Sequence, residues 1–424
     1  MVDEQPATRS CCPQCRRVLP AAVQESNGAV YLAVECPEHG PARMLYQKDA
    51  DFYHEAARLA APNHSFAENR SPHNLVALEN ARVVAVDLTP ECNLRCPMCY
   101  ASANESSPPP MTSEEILSRL DKLPRKRLWI ALLGGEPTLR EDLPHLVREI
   151  VRMGFRLKLV TNGLRLEDPA FAAELKAQGL KWIMYQFDGF EREIYVRLRG
   201  QDLLERKLRI LDTLSRTGFQ ISLASMIVAG VNDHQVGELI RFGFTAPNVR
   251  HITLLPASPI GRDGLGLADE HLHAEDLMDL VAEQTGGRVQ RADWLATMRF
   301  LGRLHRWTGH VDFQQRVCFF SMPLVGRADD FVPAVWLTQP RRLPGMARFA
   351  PQAWYMMKHL FAIDSHEMPQ GLLYLCVEKL HSARCLHIGD TAQCHTLYLT
   401  PDGLTPMCIY DVLFRGVSPS SEHG

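Results

Sequence analysis

The chain has 424 residues, 46% of them apolar and 22% charged, which is enough apolar material for a sizeable core and too little charge for a disordered chain. A formal charge of -3 provides no global basic field, so non-specific nucleic-acid binding is disfavoured and no nucleic-acid partner is expected. No stretch approaches the roughly 18 to 20 consecutive apolar residues of a spanning helix, and the start, MVDEQPATRS, lacks the basic and apolar regions of a secretion signal. A cytoplasmic protein without a transmembrane segment is expected, with peripheral membrane contact left open.

Twelve cysteines set the direction. In a long chain without a secretion signal they stay reduced, so clusters of them point to metal or redox chemistry before disulfides. They fall into three districts: Cys11, Cys12, Cys15 and Cys36; then Cys92, Cys96 and Cys99; then Cys318, Cys376, Cys385, Cys394 and Cys408.

From the N-terminus, CPQC and CPEHG pair C-x2-C with C-x2-H across 20 residues. That is tetrahedral-site spacing for zinc or a mononuclear, rubredoxin-like iron, with Cys12, Cys15, Cys36 and His39 as ligands and Cys11 as a spare. Asn27-Gly28 signals a tight turn before the alternating stretch Ala29 to Val34, so a small hairpin module is expected. Residues 41–80 read as mixed and partly helical, with a linker at 62–72. From residue 82 short apolar runs alternate with helical stretches. The runs span 81–89, 127–135, 155–163, 180–189, 219–228 and 250–258. One intervening helix, at 112–123, opens with Thr112 and Glu115 in capping-box spacing. Six such units predict an α/β fold, a partial (β/α)6 TIM-like barrel with ligands at the C-terminal strand ends. The expected division is a metal module and linker at 1–80, the barrel at 81–290, and a C-terminal iron–sulfur module at 291–424.

Cys92, Cys96 and Cys99 stand in C-x3-C-x2-C spacing after the first predicted strand. Three thiolates from one loop can hold three irons of a [4Fe–4S] cube and leave the fourth open to a ligand. At the end of the second strand stands Gly134-Gly135-Glu136-Pro137. Glycines there let the backbone approach a polar head closely. Together the two motifs resemble the radical S-adenosylmethionine (radical SAM) superfamily over residues 82 to about 262. The resemblance implies that S-adenosylmethionine chelates the open iron, that its amino group meets Gly134, Gly135, Glu136 and Pro137, and that Met98 lies against adenine. Reductive cleavage then yields a 5′-deoxyadenosyl radical that abstracts hydrogen from an unactivated carbon. Asn162 and Asp188, at the third and fourth strand ends, read equally as polar contacts to that ligand or as turn and cap residues.

CPxC…VYL…CPEHG, QFDG with RLRG, VAGVNDHQVGELIRF, PASPIGR and CHTLYLTPDGLTPMCIYDVLFR are similar to the group containing tetraether lipid synthase and the archaeal pterin-methylating enzyme. The resemblance implies alkylation or coupling of an unactivated carbon in a lipid or pterin-like small molecule. It also implies an auxiliary [4Fe–4S] cluster on Cys376, Cys385, Cys394 and Cys408, with Cys318 either replacing one ligand or lying in the core, and a reducing donor such as a flavodoxin or ferredoxin. The chain departs from the pattern where His395 follows Cys394 in place of a second cysteine. The segment 353–361, AWYMMKHLF, reads as lipid tunnel or plain core, and 122–128 as a solvated helix end or a donor-docking surface. Peptide maturation with the same radical chemistry, and a non-catalytic iron–sulfur carrier, are the competing functions.

Overall fold

A computed structural model describes residues 8–60, 81–105, 109–125, 128–263, 266, 271–308, 318–338, 352, 370–391 and 394–415. The segments 62–72 and 353–361 lie outside the described residues.

The N-terminal module is an antiparallel four-stranded sheet, β1 (Thr8–Cys11), β2 (Val18–Ser26), β3 (Ala29–Cys36) and β4 (Gly40–Gln47), in sequential order. Asn27 and Gly28, with φ of 53° and 74°, make the tight turn between β2 and β3. Two positive φ values in a two-residue loop match the twist of a hairpin, so the dipeptide fixes the register. The stretch after residue 40, expected to be mixed, first adds β4, whose alternating exposure lays Met44 and Tyr46 on the core, and then forms α1 (Ala50–Ala60).

All six expected runs are strands: β5 (Val83–Asp87), β7 (Trp129–Leu133), β8 (Arg156–Thr161), β9 (Trp182–Gln186), β10 (Gln220–Ile227) and β11 (Val249–Pro256). They pair in parallel and in chain order, as short strand–helix–strand units with right-handed crossovers require. Helix α2 (Ser113–Leu120) carries the expected capping box, Glu115 N–H donating to Thr112 Oγ1 at 3.2 Å and Thr112 N–H to Glu115 Oε2 at 2.8 Å. Between β5 and β7 the two-residue strand β6 (Met98–Cys99) pairs with β12 (Arg262–Asp263), tying the cysteine loop to the loop after β11.

The tail does not stand beside this sheet. Strands β13 (Phe319–Arg327), β14 (Asp330–Pro333) and β15 (Leu372–Glu378) extend it past β11, while β16 (Thr396–Thr400) and β17 (Gly403–Pro406) extend it past β5. β15 lies parallel to β11 and β16 parallel to β5, so the parallel run holds eight strands rather than six. The expected boundary at 290 is therefore crossed by the sheet on both edges. On β8, Leu157, Leu159 and Thr161 are buried under the helices while Arg156, Lys158 and Val160 face the half-open interior, as the period of two demands. No helix of the described residues is long and apolar enough to cross a membrane.

Candidate active site

β5 ends at Asp87, and the loop that follows carries Cys92, Cys96 and Cys99, all partly exposed. The loop is held by its own backbone groups. Asn104, at φ 66°, takes the Cys92 N–H on Oδ1 at 2.8 Å and donates Nδ2 to the carbonyls of Cys92 and Leu94 at 2.9 and 3.0 Å. Arg262 donates Nη1 to the Cys96 carbonyl at 2.9 Å. The Leu94 N–H points at Cys92 Sγ at 3.4 Å and the Ala103 N–H at Cys99 Sγ at 3.5 Å. Burial pushes the Cys92 thiol up to about 11, with Glu136, Cys96 and Cys99 adding to the shift. Three thiols on one short loop, two of them met by N–H donors and one of them, Cys92, costly to ionise alone, are what a metal cluster resolves by supplying positive charge. These residues therefore fit an iron–sulfur cluster.

The GGEP turn follows β7. Gly135 N–H donates to the Thr89 carbonyl at 2.8 Å and Glu136 N–H to the Glu91 carbonyl at 2.7 Å, so the turn braces the cysteine loop. A Cβ at Gly134, where φ is 135°, would stand 2.6 Å from the Thr89 oxygen, and one at Gly135 would stand 2.2 Å from the Glu91 oxygen. Only glycine permits that approach. Pro137 is buried at the start of the 3-10 turn that closes the motif.

The expected ligand contact at Asp188 is corrected, whereas the expectation at Glu136 concerns its backbone and its carboxylate has other work. The Glu136 side chain is fully buried and accepts from Thr138 N–H and Oγ1 at 3.0 and 2.6 Å, Thr161 Oγ1 at 2.7 Å and Asn162 N–H at 2.8 Å. It locks the end of β7 to the end of β8. Asp188 is also fully buried, in a two-point pair with Arg199 at 2.7 and 2.8 Å and in bonds to the Gln186 amide and the Met226 N–H. Neither carboxylate has a face left for a ligand. Met98 is buried among Ile194, Leu198, Val228, Val231 and Ala257, so its side chain underpins the loop. Asn162 reaches the loop directly, Nδ2 donating to Asn93 Oδ1 at 2.7 Å and lying 3.8 Å from Cys92 Sγ, while its Oδ1 accepts the Leu164 N–H.

Two basic residues carry roles that sequence reading did not assign. Arg199, in the RLRG stretch at the end of α5 (Arg192–Arg199), places Nη1 3.9 Å from Cys96 Sγ. Burial opposes its charge, but Asp188 and Cys96 outweigh that and raise its pKa. Lys207 sits on α6 (Leu204–Arg216) in the apolar stripe with Ile210, Leu211 and Leu214, and it is fully buried. Its Nζ donates to the Asn162 carbonyl and Gln186 Oε1 at 2.7 Å and the Gln186 carbonyl at 2.9 Å. Burial brings it down to about 7, against the pull of Asp188. A lysine in phase with an apolar stripe was the available signal. Arg199→Met strands Asp188 as an unpaired buried charge, and a loss of about 3–5 kcal/mol in chemical denaturation is expected. Arg199→Met with Asp188→Asn should lose less than the two single changes added together.

In the N-terminal module, the ligand atoms of Cys12, Cys15, Cys36 and His39 all lie within 4.8 Å of one another. Cys36 Sγ is 3.5 Å and Cys12 Sγ 3.7 Å from His39 Nδ1, and Cys15 and Cys36 sulfurs are 3.8 Å apart. The His39 contact, followed by neighbouring backbone N–H groups, lowers the Cys36 thiol to about 6, against burial. Four donors in one small volume fit a single metal ion.

The late cysteines separate. Cys376 lies on β15 with Thr253 and Ser321 as its cross-strand neighbours, and its thiol donates to Ser321 Oγ at 3.4 Å. Burial pushes that thiol up to about 12, with Glu378 adding and Lys158 opposing. The expected grouping of Cys376 with the other tail thiols is thus corrected, because strand phase aims it into the barrel. Burial raises the Cys408 thiol well above its ordinary value, with Cys394 and Cys318 adding to the shift. Cys385 Sγ accepts the Ser382 N–H at 3.3 Å, beside the His381 N–H that points at Cys408 Sγ at 3.4 Å.

Residues 86–243 match the Radical SAM superfamily model, over the strands, cysteine loop and GGEP turn just described. The chain carries a radical SAM domain. Residues 6–48 match the HMPTM N-terminal zinc ribbon domain. The chain is 34% identical over 304 residues to 7,8-dihydro-6-hydroxymethylpterin dimethyltransferase of Methanocaldococcus jannaschii, across 68% of this chain and 60% of the relative. It is 30% identical over 178 residues to mycofactocin maturase MftC of Mycolicibacterium smegmatis, across 42% of this chain and 45% of that one. The chain thus spans only about half to three-fifths of these curated relatives. Among solved structures, Streptococcus suis SuiB bound to S-adenosylmethionine overlaps at a TM-score of 0.42 and 16% identity, over 48% of this chain and 47% of that one.

Proposed function

We propose that this radical SAM enzyme alkylates an unactivated carbon of a pterin-like small molecule. The observation that carries the reading is the joint presence of the braced three-cysteine loop and the four-donor N-terminal module, in a chain similar over 304 residues to a pterin dimethyltransferase. Cys92, Cys96 and Cys99 would hold the [4Fe–4S] cluster, and the backbone of the Gly134–Pro137 turn would meet the polar head of S-adenosylmethionine, with Met98 and Asn162 at its margin. When bound, that pair supplies the carbon-centred radical chemistry. The chain's own work is positioning. Asn104 and Arg262 fix the loop backbone, Arg199 sets a positive charge beside Cys96, and Lys207 ties the ends of β8 and β9 together.

The N-terminal donors would take zinc, the choice the ribbon match favours over mononuclear iron. For the auxiliary [4Fe–4S] cluster, Cys318, Cys385, Cys394 and Cys408 would be the ligand set, a reading supported by the backbone N–H groups of Ser382 and His381 that point at the Cys385 and Cys408 sulfurs. A flavodoxin or ferredoxin would supply the electron.

The test is anaerobic turnover of the reconstituted protein with dithionite, S-adenosylmethionine and 6-hydroxymethyl-7,8-dihydropterin, read by mass spectrometry. A pterin heavier by one or two methyl groups, formed with 5′-deoxyadenosine, is expected. An unchanged pterin, beside a lipid or peptide modified only in extracts of cells holding the active gene, overturns the pterin reading. A cluster spectrum that saturating S-adenosylmethionine leaves unaltered would point to an electron carrier instead.

A further inference from the structure

Where β5 and β16 run side by side, a buried polar cluster lies next to the cysteine loop. Its parts are Asp87 at the end of β5, Tyr398 on β16, Tyr410, Asp411 and Arg415 from the tail, and Tyr100, which directly follows Cys99. Arg415 donates Nε to Asp411 Oδ1 at 2.7 Å and pairs Nη1 with Asp87 Oδ2 at 2.9 Å. Its guanidinium carbon stands 4.9, 5.1 and 5.4 Å from the ring centres of Tyr410, Tyr398 and Tyr100.

The pairing is incomplete in a directed way. Asp87 Oδ1, Asp411 Oδ2, Arg415 Nη2 and the Tyr398 hydroxyl are all buried, and none meets a hydrogen-bond partner among the described residues. Buried polar groups are nearly always satisfied, so four orphans around one ion triad call for an explanation. Two are carboxylate acceptors, one is a guanidinium donor, and one is a hydroxyl that serves either way. Two carboxylates against one guanidinium leave acceptors in excess, which suits a ligand that presents neighbouring N–H groups and a carbonyl on a flat ring. Aromatic side chains around such an edge supply the stacking faces.

We propose that Asp87, Asp411, Arg415 and Tyr398 anchor the substrate through the 2-amino-4-oxo edge of a pterin-class ring, which rests on the reading above of a pterin-like substrate. The carboxylates take the ring N–H and amino donors, and Arg415 Nη2 serves the ring carbonyl. Because Tyr100 adjoins Cys99, this grip holds the ring beside the radical source.

The test is equilibrium binding of the redox-stable, fluorescent 6-hydroxymethylpterin to reconstituted protein saturated with S-adenosylmethionine. Asp411→Asn and Tyr398→Phe are compared with wild type, and the cluster's spectral response to S-adenosylmethionine checks integrity. Weakening of about tenfold or more for Asp411→Asn, which loses a charged acceptor, and of several-fold for Tyr398→Phe is expected. Tyr398→Phe removes only an unpartnered hydroxyl, so its fold is retained and its result stands if Asp411→Asn is unstable. Wild-type binding with both variants equally tight overturns the anchor and leaves the pterin reading intact. No wild-type binding overturns both.

Discussion

Cys96→Ala is expected to bring formation of 5′-deoxyadenosine down to background and to remove the absorbance of the cluster proposed for the loop. Cys96 is the middle thiol of the loop, the one facing Arg199 Nη1 at 3.9 Å. The loop around it stays closed by Asn104 and Arg262, so the protein is expected to remain folded. Anaerobic product chromatography with iron analysis decides the matter. Unchanged turnover would sink the assignment of the loop as cluster ligand. Cys376→Ala gives the contrast, since its thiol donates to Ser321 away from the loop, and full iron content is expected there.

The second large effect comes from one methyl group. Gly135→Ala sets a Cβ 2.2 Å from the Glu91 carbonyl oxygen, a backbone atom with no rotamer by which to move aside. Relief requires shifting Glu91 and with it Cys92. Displacing reactive groups by about an ångström commonly costs on the order of a hundredfold in rate, and that loss in S-adenosylmethionine cleavage is expected, with iron bound but the response to the ligand weakened. Gly134→Ala adds backbone strain at φ 135° to a clash 2.6 Å from the Thr89 oxygen, so it should be no milder. Wild-type cleavage rates in both variants would show that the turn does not brace the loop.

Much of this was written locally. Short apolar runs alternating with helical stretches gave β5 and β7 through β11, Thr112 and Glu115 gave the start of α2, and Cys12 with Cys15, Cys36 and His39 gave the metal box, because patterns local to the chain decide those features. Asp188 misled for the opposite reason. A carboxylate at a strand end looks available until its partner is known, and its partner, Arg199, comes from the end of the next helix. Cys376 was grouped with Cys394 and Cys408 by proximity in sequence, whereas the alternation of β15 turns it toward Thr253 and Ser321. The places of β15 and β16 were hidden as well. Each pairs with a strand far away in sequence, and nothing within a short window states which edge a strand will join.

That distant pairing has a consequence for how the protein is made. Val83 of β5 meets Thr396 of β16, so during synthesis one side of β5 waits for more than three hundred residues to emerge. Over that interval the nascent sheet shows a bare edge directly before the cysteine loop. An unpaired parallel strand is a template for wrong partners, so the ribosome-bound chain is exposed to aggregation at its most valuable segment. The same interval leaves the loop open to the cell's iron–sulfur carriers before the tail closes over it. A chain shortened before residue 396 would keep its cysteine loop and lose this wall, so soluble yield should fall before cluster content does.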